Sequence, residues 1–202
     1  MSSNTRRPRR ASRLIGTGAL LAGVLASAGM IWQASYSAFS STTVNPTNNW
    51  TAGTVALADD DTNTAMFTAA NLKPGSTGSK CIAVTSTGSL ASTVKLYGTT
   101  PATTNALSSS LNLTVSQGTG GSFGSCTGFT PLSSGSSVYT GTLAAFGSSA
   151  TGFATGLGTW APTGSASDTR VFQFTYTLDP ATPNSAQAGT AAIAFTWESQ
   201  NS

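Results

Sequence analysis

Short apolar runs separated by Gly, Ser, Thr, Asn and Pro fill the chain from Thr54 onward, the pattern of strands joined by turns. Eight runs read as strands: TVALA (54–58), TAMFTA (64–69), CIAVTS (81–86), STVKLYG (92–98), LNLTVSQ (111–117), SVYTGTLAAF (137–146), TRVFQFTYTL (169–178) and TAAIAFTWES (190–199). Two alternate cleanly. Phe172, Phe174, Tyr176 and Leu178 share one face against Gln173, Thr175 and Thr177, and Ala191, Ile193, Phe195 and Trp197 share another. Period two with one large apolar face predicts strands half-buried on a core.

The connections are polar and rich in breakers. DPATPNSAQAG (179–189) carries two prolines and a glycine that suit a surface loop, and GTGGSFGSCTGF and PLSSGSSV read likewise. No stretch after residue 38 sustains a helical period for more than about two turns. Strands without helices, each needing a second sheet to bury against, predict an all-β fold: an antiparallel, jelly-roll-like β-sandwich over residues 54–202. No repeat of fixed period is present.

The first 37 residues read differently, as an export signal with a signal helix. TRRPRRASR forms a basic n-region (1–13), residues 14–32 an apolar h-region, and QASYSAFSS supplies the small residues a signal peptidase takes. The competing reading is a permanent anchor, since nineteen apolar residues can span a bilayer with the arginines inside. Twin-arginine export is poorly matched, because no apolar residue directly follows the arginine pair.

Charge then changes the picture little. The net charge of +3 is carried by the five arginines of the n-region, and the rest of the chain is slightly acidic. Lys73, Lys80, Lys95 and Arg170 form no cluster along the sequence, which leaves a nucleic-acid role without support. Cys81 and Cys126 are the only cysteines. On an exported chain they favour a disulfide over two free thiols, and the closed loop of 45 residues would contribute about 3–4 kcal/mol by chain entropy.

Catalytic chemistry finds few parts here. With no histidine, Ser-His-Asp, Cys-His and HExxH arrangements are all absent, and two cysteines cannot build a structural zinc site. Asp59, Asp60, Asp61, Asp168, Asp179 and Glu198 are the carboxylates, and four Trp residues are few for a sugar platform beside a glycosidase pair. The run ADDDTNT places Asp59, Asp60 and Asp61 as a weak candidate for calcium, without EF-hand spacing; the simpler reading is a polar hairpin turn between the first two runs. The sequons at Asn49 and Asn112 read as accidental in a bacterial export product. No cofactor is expected.

The blocks AFSS from Ala38, AGTVAL (52–57), ANLKPGSTGSKCIAVTSTGSLASTVKLY (70–97) and AAIAFTWESQ (191–200) resemble the TasA/camelysin family of secreted Gram-positive proteins. NLKPG followed by GSL is the most specific part, residues 98–169 carry little of the likeness, and the cysteine pair lies outside the pattern; low charge and high Ser/Thr content point to an actinobacterial branch. The resemblance implies a jelly-roll sandwich matured by a SipW-type signal peptidase between Ser37 and Ala38, serving at the cell surface or in a biofilm matrix. It also implies that residues 38–49, within an extended segment 38–53, act as a strand donated to a neighbouring copy. Phe39 and Val44 would anchor that strand, although Ser, Thr, Asn and Pro suit a disordered linker equally.

Within NLKPGSTGSKC, Lys73-Pro74-Gly75 predicts a tight turn, Lys80 a solvated strand start, and Cys81 a tether to the loop holding Cys126. Camelysin has been described as a metalloprotease, but the chain has no histidine to bind zinc and no recognisable base for that activity. Two readings stand: a secreted structural subunit that self-associates by strand pairing, and a monomeric adhesin or binding module on the same fold that meets surface or matrix components through its loops.

Overall fold

A computed structural model describes residues 52–201. The signal segment, the Ser37–Ala38 bond and the donor anchors Phe39 and Val44 lie outside the described residues. Among the described residues the strands are β1 (Leu57–Asp59), β2 (Thr77–Ser86), β3 (Ser92–Thr103), β4 (Leu111–Thr119), β5 (Thr130–Pro131), β6 (Ser137–Thr142), β7 (Leu157–Trp160), β8 (Asp168–Leu178) and β9 (Ala191–Asn201). All pair antiparallel, as a large sheet ordered β1-β2-β8-β4-β5 with β6 also on β4, and a small sheet ordered β7-β3-β9. The all-β sandwich is the fold the alternating runs predict.

The two alternating strands explain how the sheets meet. β8 is central in the large sheet, between β2 and β4, and its Phe172 and Phe174 are 2% and 0% exposed. The inward residues of β9 face them: Phe174 lies 4.5 Å from the ring centre of Phe195, and Phe172 lies 5.3 Å from that of Trp197. Tilted and edge-on contacts of this kind add to the burial of each ring. Ile82, Val84, Val94, Leu96, Leu113 and Val115 complete the packing from β2, β3 and β4.

Two runs differ from their expected form, as does the turn between the first two, and β7 is new. Residues 64–69 make no strand, because Thr62, Asn63 and Asn71 adopt left-handed backbone and the Asp61 carboxylate accepts from the Asn63 N–H at 2.6 Å, which turns the chain out of line. No hairpin forms at 59–63, and β1 pairs instead with β2. The run 137–146 divides at Thr142, whose hydroxyl accepts from the Ala145 N–H at 3.1 Å and starts a short helix, α2 (Leu143–Ser149). That helix follows α1 (Leu107–Ser110) and inserts Phe146, fully buried, between Tyr139 and Phe195. The strand β7, which follows Gly156 and contains Gly158, contributes Trp160, 2% exposed, with its indole N–H donated to Asp168 at 2.8 Å.

The turn at 73–76 is as predicted: Ser76 N–H donates to the Lys73 carbonyl at 2.8 Å, and Gly75 sits at φ +84°, where glycine alone is unstrained. Lys80 differs. It lies inside β2 rather than at its start, half-buried, with Nζ on the Gly124 carbonyl at 3.2 Å.

Candidate functional site

The three consecutive carboxylates do not converge. Asp60 accepts from the Ala83 N–H at 2.9 Å through Oδ1 and from the Phe123 N–H at 2.7 Å through Oδ2, so both oxygens clamp the chain to β2 and to the loop at 120–130. Asp61 is committed to Asn63, and Asp59 accepts from the Asp61 N–H at 3.3 Å. Among the described residues no group of three His, Cys, Asp or Glu side chains is placed to hold a metal ion. The Asp60 role has no pattern in sequence, since either of its neighbours would look the same.

Cys81 and Cys126 form a disulfide, with Cα atoms 5.1 Å apart, tying the loop at 120–130 over β2. The loop is glycine-rich for a steric reason: at Gly120, φ +75°, a side chain would run into the Gly128 carbonyl. Lys80 Nζ and the Gly124 N–H, which donates to the Cys81 carbonyl at 3.0 Å, add to the tether. Of the other cations, Lys95 donates to the Gly158 carbonyl at 2.7 Å and Arg170 stacks 5.7 Å over the Trp160 ring.

Among the described residues a concave feature lies where the two sheets part. Leu57, Ala58, Asp59, Val84, Phe195, Thr196 and Trp197 line a cleft of about 210 Å³ between β1, at one edge of the large sheet, and β9, at one edge of the small sheet. Among the described residues β9 pairs only with β3, so alternate residues of its eleven present a free row of backbone donors and acceptors on the other side. Ile193, Phe195 and Trp197 are half-buried although they face the core. Among the described residues the Trp197 indole N–H and the hydroxyls of Ser92 and Ser199 are buried without a hydrogen-bond partner. The sequence identified the inward face of β9 but not its edge position, because strand order is a property of long-range pairing.

Asp59 sits on the cleft wall with its carboxyl raised above the usual range, chiefly by desolvation and further by the Asp61 and Asp60 carboxylates, while the Asp61 N–H opposes this. A raised carboxyl favours the neutral form in the folded state. The stability it contributes is therefore present in acid and lost as pH rises through its folded value. Asp59→Asn should accordingly raise the melting temperature slightly at neutral pH and leave it unchanged in acid, measured by thermal melts across pH. An equal shift at every pH would contradict the desolvation account.

Comparison with protein-family models and with curated protein sequences finds no match to this chain.

Proposed function

We propose that this protein is a secreted structural subunit, TasA-like in class, that assembles at the cell surface or in a biofilm matrix by strand pairing. The observation that carries this reading is the free β9 edge alongside an apolar cleft whose wall includes half-buried Phe195 and Trp197. An added strand would satisfy the open backbone row by β-augmentation and bury those rings. Residues 38–49 of a second copy supply such a strand, with Phe39 and Val44 as the apolar anchors. A SipW-type signal peptidase would expose it by cutting between Ser37 and Ala38. The disulfide supports an oxidising, extracellular setting, and among the described residues no helix is long and apolar enough to cross a membrane.

Two changes test the two halves of the contact. Deleting residues 38–49 removes the donor, and Asp59→Lys, at an exposed position in register with inward-facing Val84 on the cleft wall, obstructs the acceptor. Each should abolish assembly, read by sedimentation velocity, while the melting temperature holds. Polymers that survive both changes would refute strand donation into this cleft and leave the monomeric binding module as the better reading.

A further inference from the structure

Asp59 is the one charged residue on the cleft wall. It stands in register with inward-facing Val84, on the cleft side of β1. The Asp61 and Asp60 carboxylates beside it add negative charge, and no cation of the described residues comes to it. Lys80 is on the Gly124 carbonyl, Lys95 is on that of Gly158, Arg170 stacks over Trp160, and Lys73 lies in the turn that precedes β2. A strand laid along β9 would roof the cleft and Asp59 with it. Covering an unpaired carboxylate opposes docking, so the incoming strand needs a positive charge at that place.

Residues 38–49, AFSSTTVNPTNN, contain no Lys or Arg. Hydrolysis of the Ser37–Ala38 amide consumes one water and leaves a carboxylate on Ser37 and an ammonium on Ala38, so cutting creates the only cation the segment has. The apolar pair sets where that cation falls. Phe39 and Val44 are five apart, and an extended strand turns them to opposite faces. β9 offers one site on each face: Trp197 inward on the cleft, and Ala192 with Ala194 outward and exposed. Antiparallel pairing, the rule in both sheets, reaches both, because Phe39 across from Trp197 brings Val44 across from Ala192. Parallel pairing from the same start would carry Val44 past Asn201, the last residue of β9.

We propose that the α-ammonium of Ala38 in one copy pairs with the Asp59 carboxylate of the next, so that cleavage gates polymerisation; the inference rests on the strand-donation reading above. Ala38 precedes Phe39 by one Cα step of about 3.8 Å, and as the chain end it is free to bend across the cleft mouth. The other carboxylate at this level, Glu198, faces outward and is already engaged, accepting from the Tyr97 hydroxyl at 2.9 Å and from Gln200 Nε2 at 2.8 Å. Asp59 accepts only a 3.3 Å contact from the Asp61 N–H. An N⁺–H···O⁻ bond is stronger than a neutral one and removes the cost of covering the carboxylate. The uncut chain has a neutral amide at the same atom, so it carries the strand but not the charge.

The test measures, by sedimentation velocity, the concentration at which the chain starting at Ala38 polymerises. Four forms are compared: unmodified, acetylated on the α-amine, Asp59→Asn, and Asp59→Asn acetylated. Near neutral pH acylation selects the α-amine, whose pKa lies about 2.5 units below that of lysine, and mass spectrometry of the N-terminal peptide verifies the site. Acetylation and Asp59→Asn should each raise the polymerisation concentration about tenfold, the effect of losing one hydrogen bond to a charged group. Together they should raise it no further than either alone, because both remove the same pair. Glu198→Gln should leave it unchanged. An acetylated chain that polymerises like the unmodified one would overturn the pairing, as would effects of the two changes that multiply. Glu198→Gln acting in place of Asp59→Asn would overturn the assignment to Asp59. Loss of the underlying reading has a different signature: polymers that survive deletion of residues 38–49 would remove strand donation and this pairing together.

Discussion

Phe174→Ala should destabilise the domain by about 3–5 kcal/mol, the range for deleting a fully buried aromatic ring. Phe174 is 0% exposed at the centre of β8, and its ring contacts Phe195 at 4.5 Å and Trp197 at 6.0 Å across the sandwich. The cost combines lost transfer energy with a cavity that two paired sheets cannot collapse to fill. Because Phe195 and Trp197 also wall the cleft, the same change should loosen β9 and weaken the assembly proposed for it. Urea denaturation with an unchanged slope and a lowered midpoint is the expected readout. A loss below about 1 kcal/mol would mean that this ring is not the keystone between the sheets.

The second large effect belongs to the disulfide. Replacing both Cys81 and Cys126 with serine should lower stability by about 3–4 kcal/mol under oxidising conditions, since the bridge closes a 45-residue separation. The β structure should persist, because β2 keeps its ten-residue pairing with β8. The loop at 120–130 would then be held to β2 and its neighbourhood by Asp60, Lys80 and the Gly124 N–H on the carbonyl of residue 81. Calorimetry with and without reductant checks this: reductant should lower the wild-type midpoint and leave the serine variant unmoved. A wild-type midpoint indifferent to full reduction would show that the tether contributes nothing.

These two effects mark what could be read in the chain before its structure. The facing rows Phe172 to Leu178 and Ala191 to Trp197 were legible because period-two alternation with large rings has one structural meaning. The cysteine pair was legible because both residues lie in a histidine-free chain whose first residues read as an export signal. The helix at Leu143–Ser149 was not, because its Leu-Ala-Ala-Phe start continues an apolar strand and only the Thr142 cap separates the two. Residues 64–69 misled in the opposite direction, being apolar enough for a strand but preceded by left-handed backbone at Thr62 and Asn63. The cleft depends on which strands lie side by side, and a single sequence encodes that only through pairings between residues about a hundred positions apart, such as Leu96 with Trp197.

The central claim, a cleaved subunit that polymerises through its new N-terminus, is tested most directly on one sample of the secreted protein. N-terminal sequencing and light scattering together report processing and assembly. A start at Ala38 with large polymers is the result the account predicts. A start at Ala38 with a stable monomer would contradict assembly, and an uncut N-terminus found only in membranes would contradict secretion.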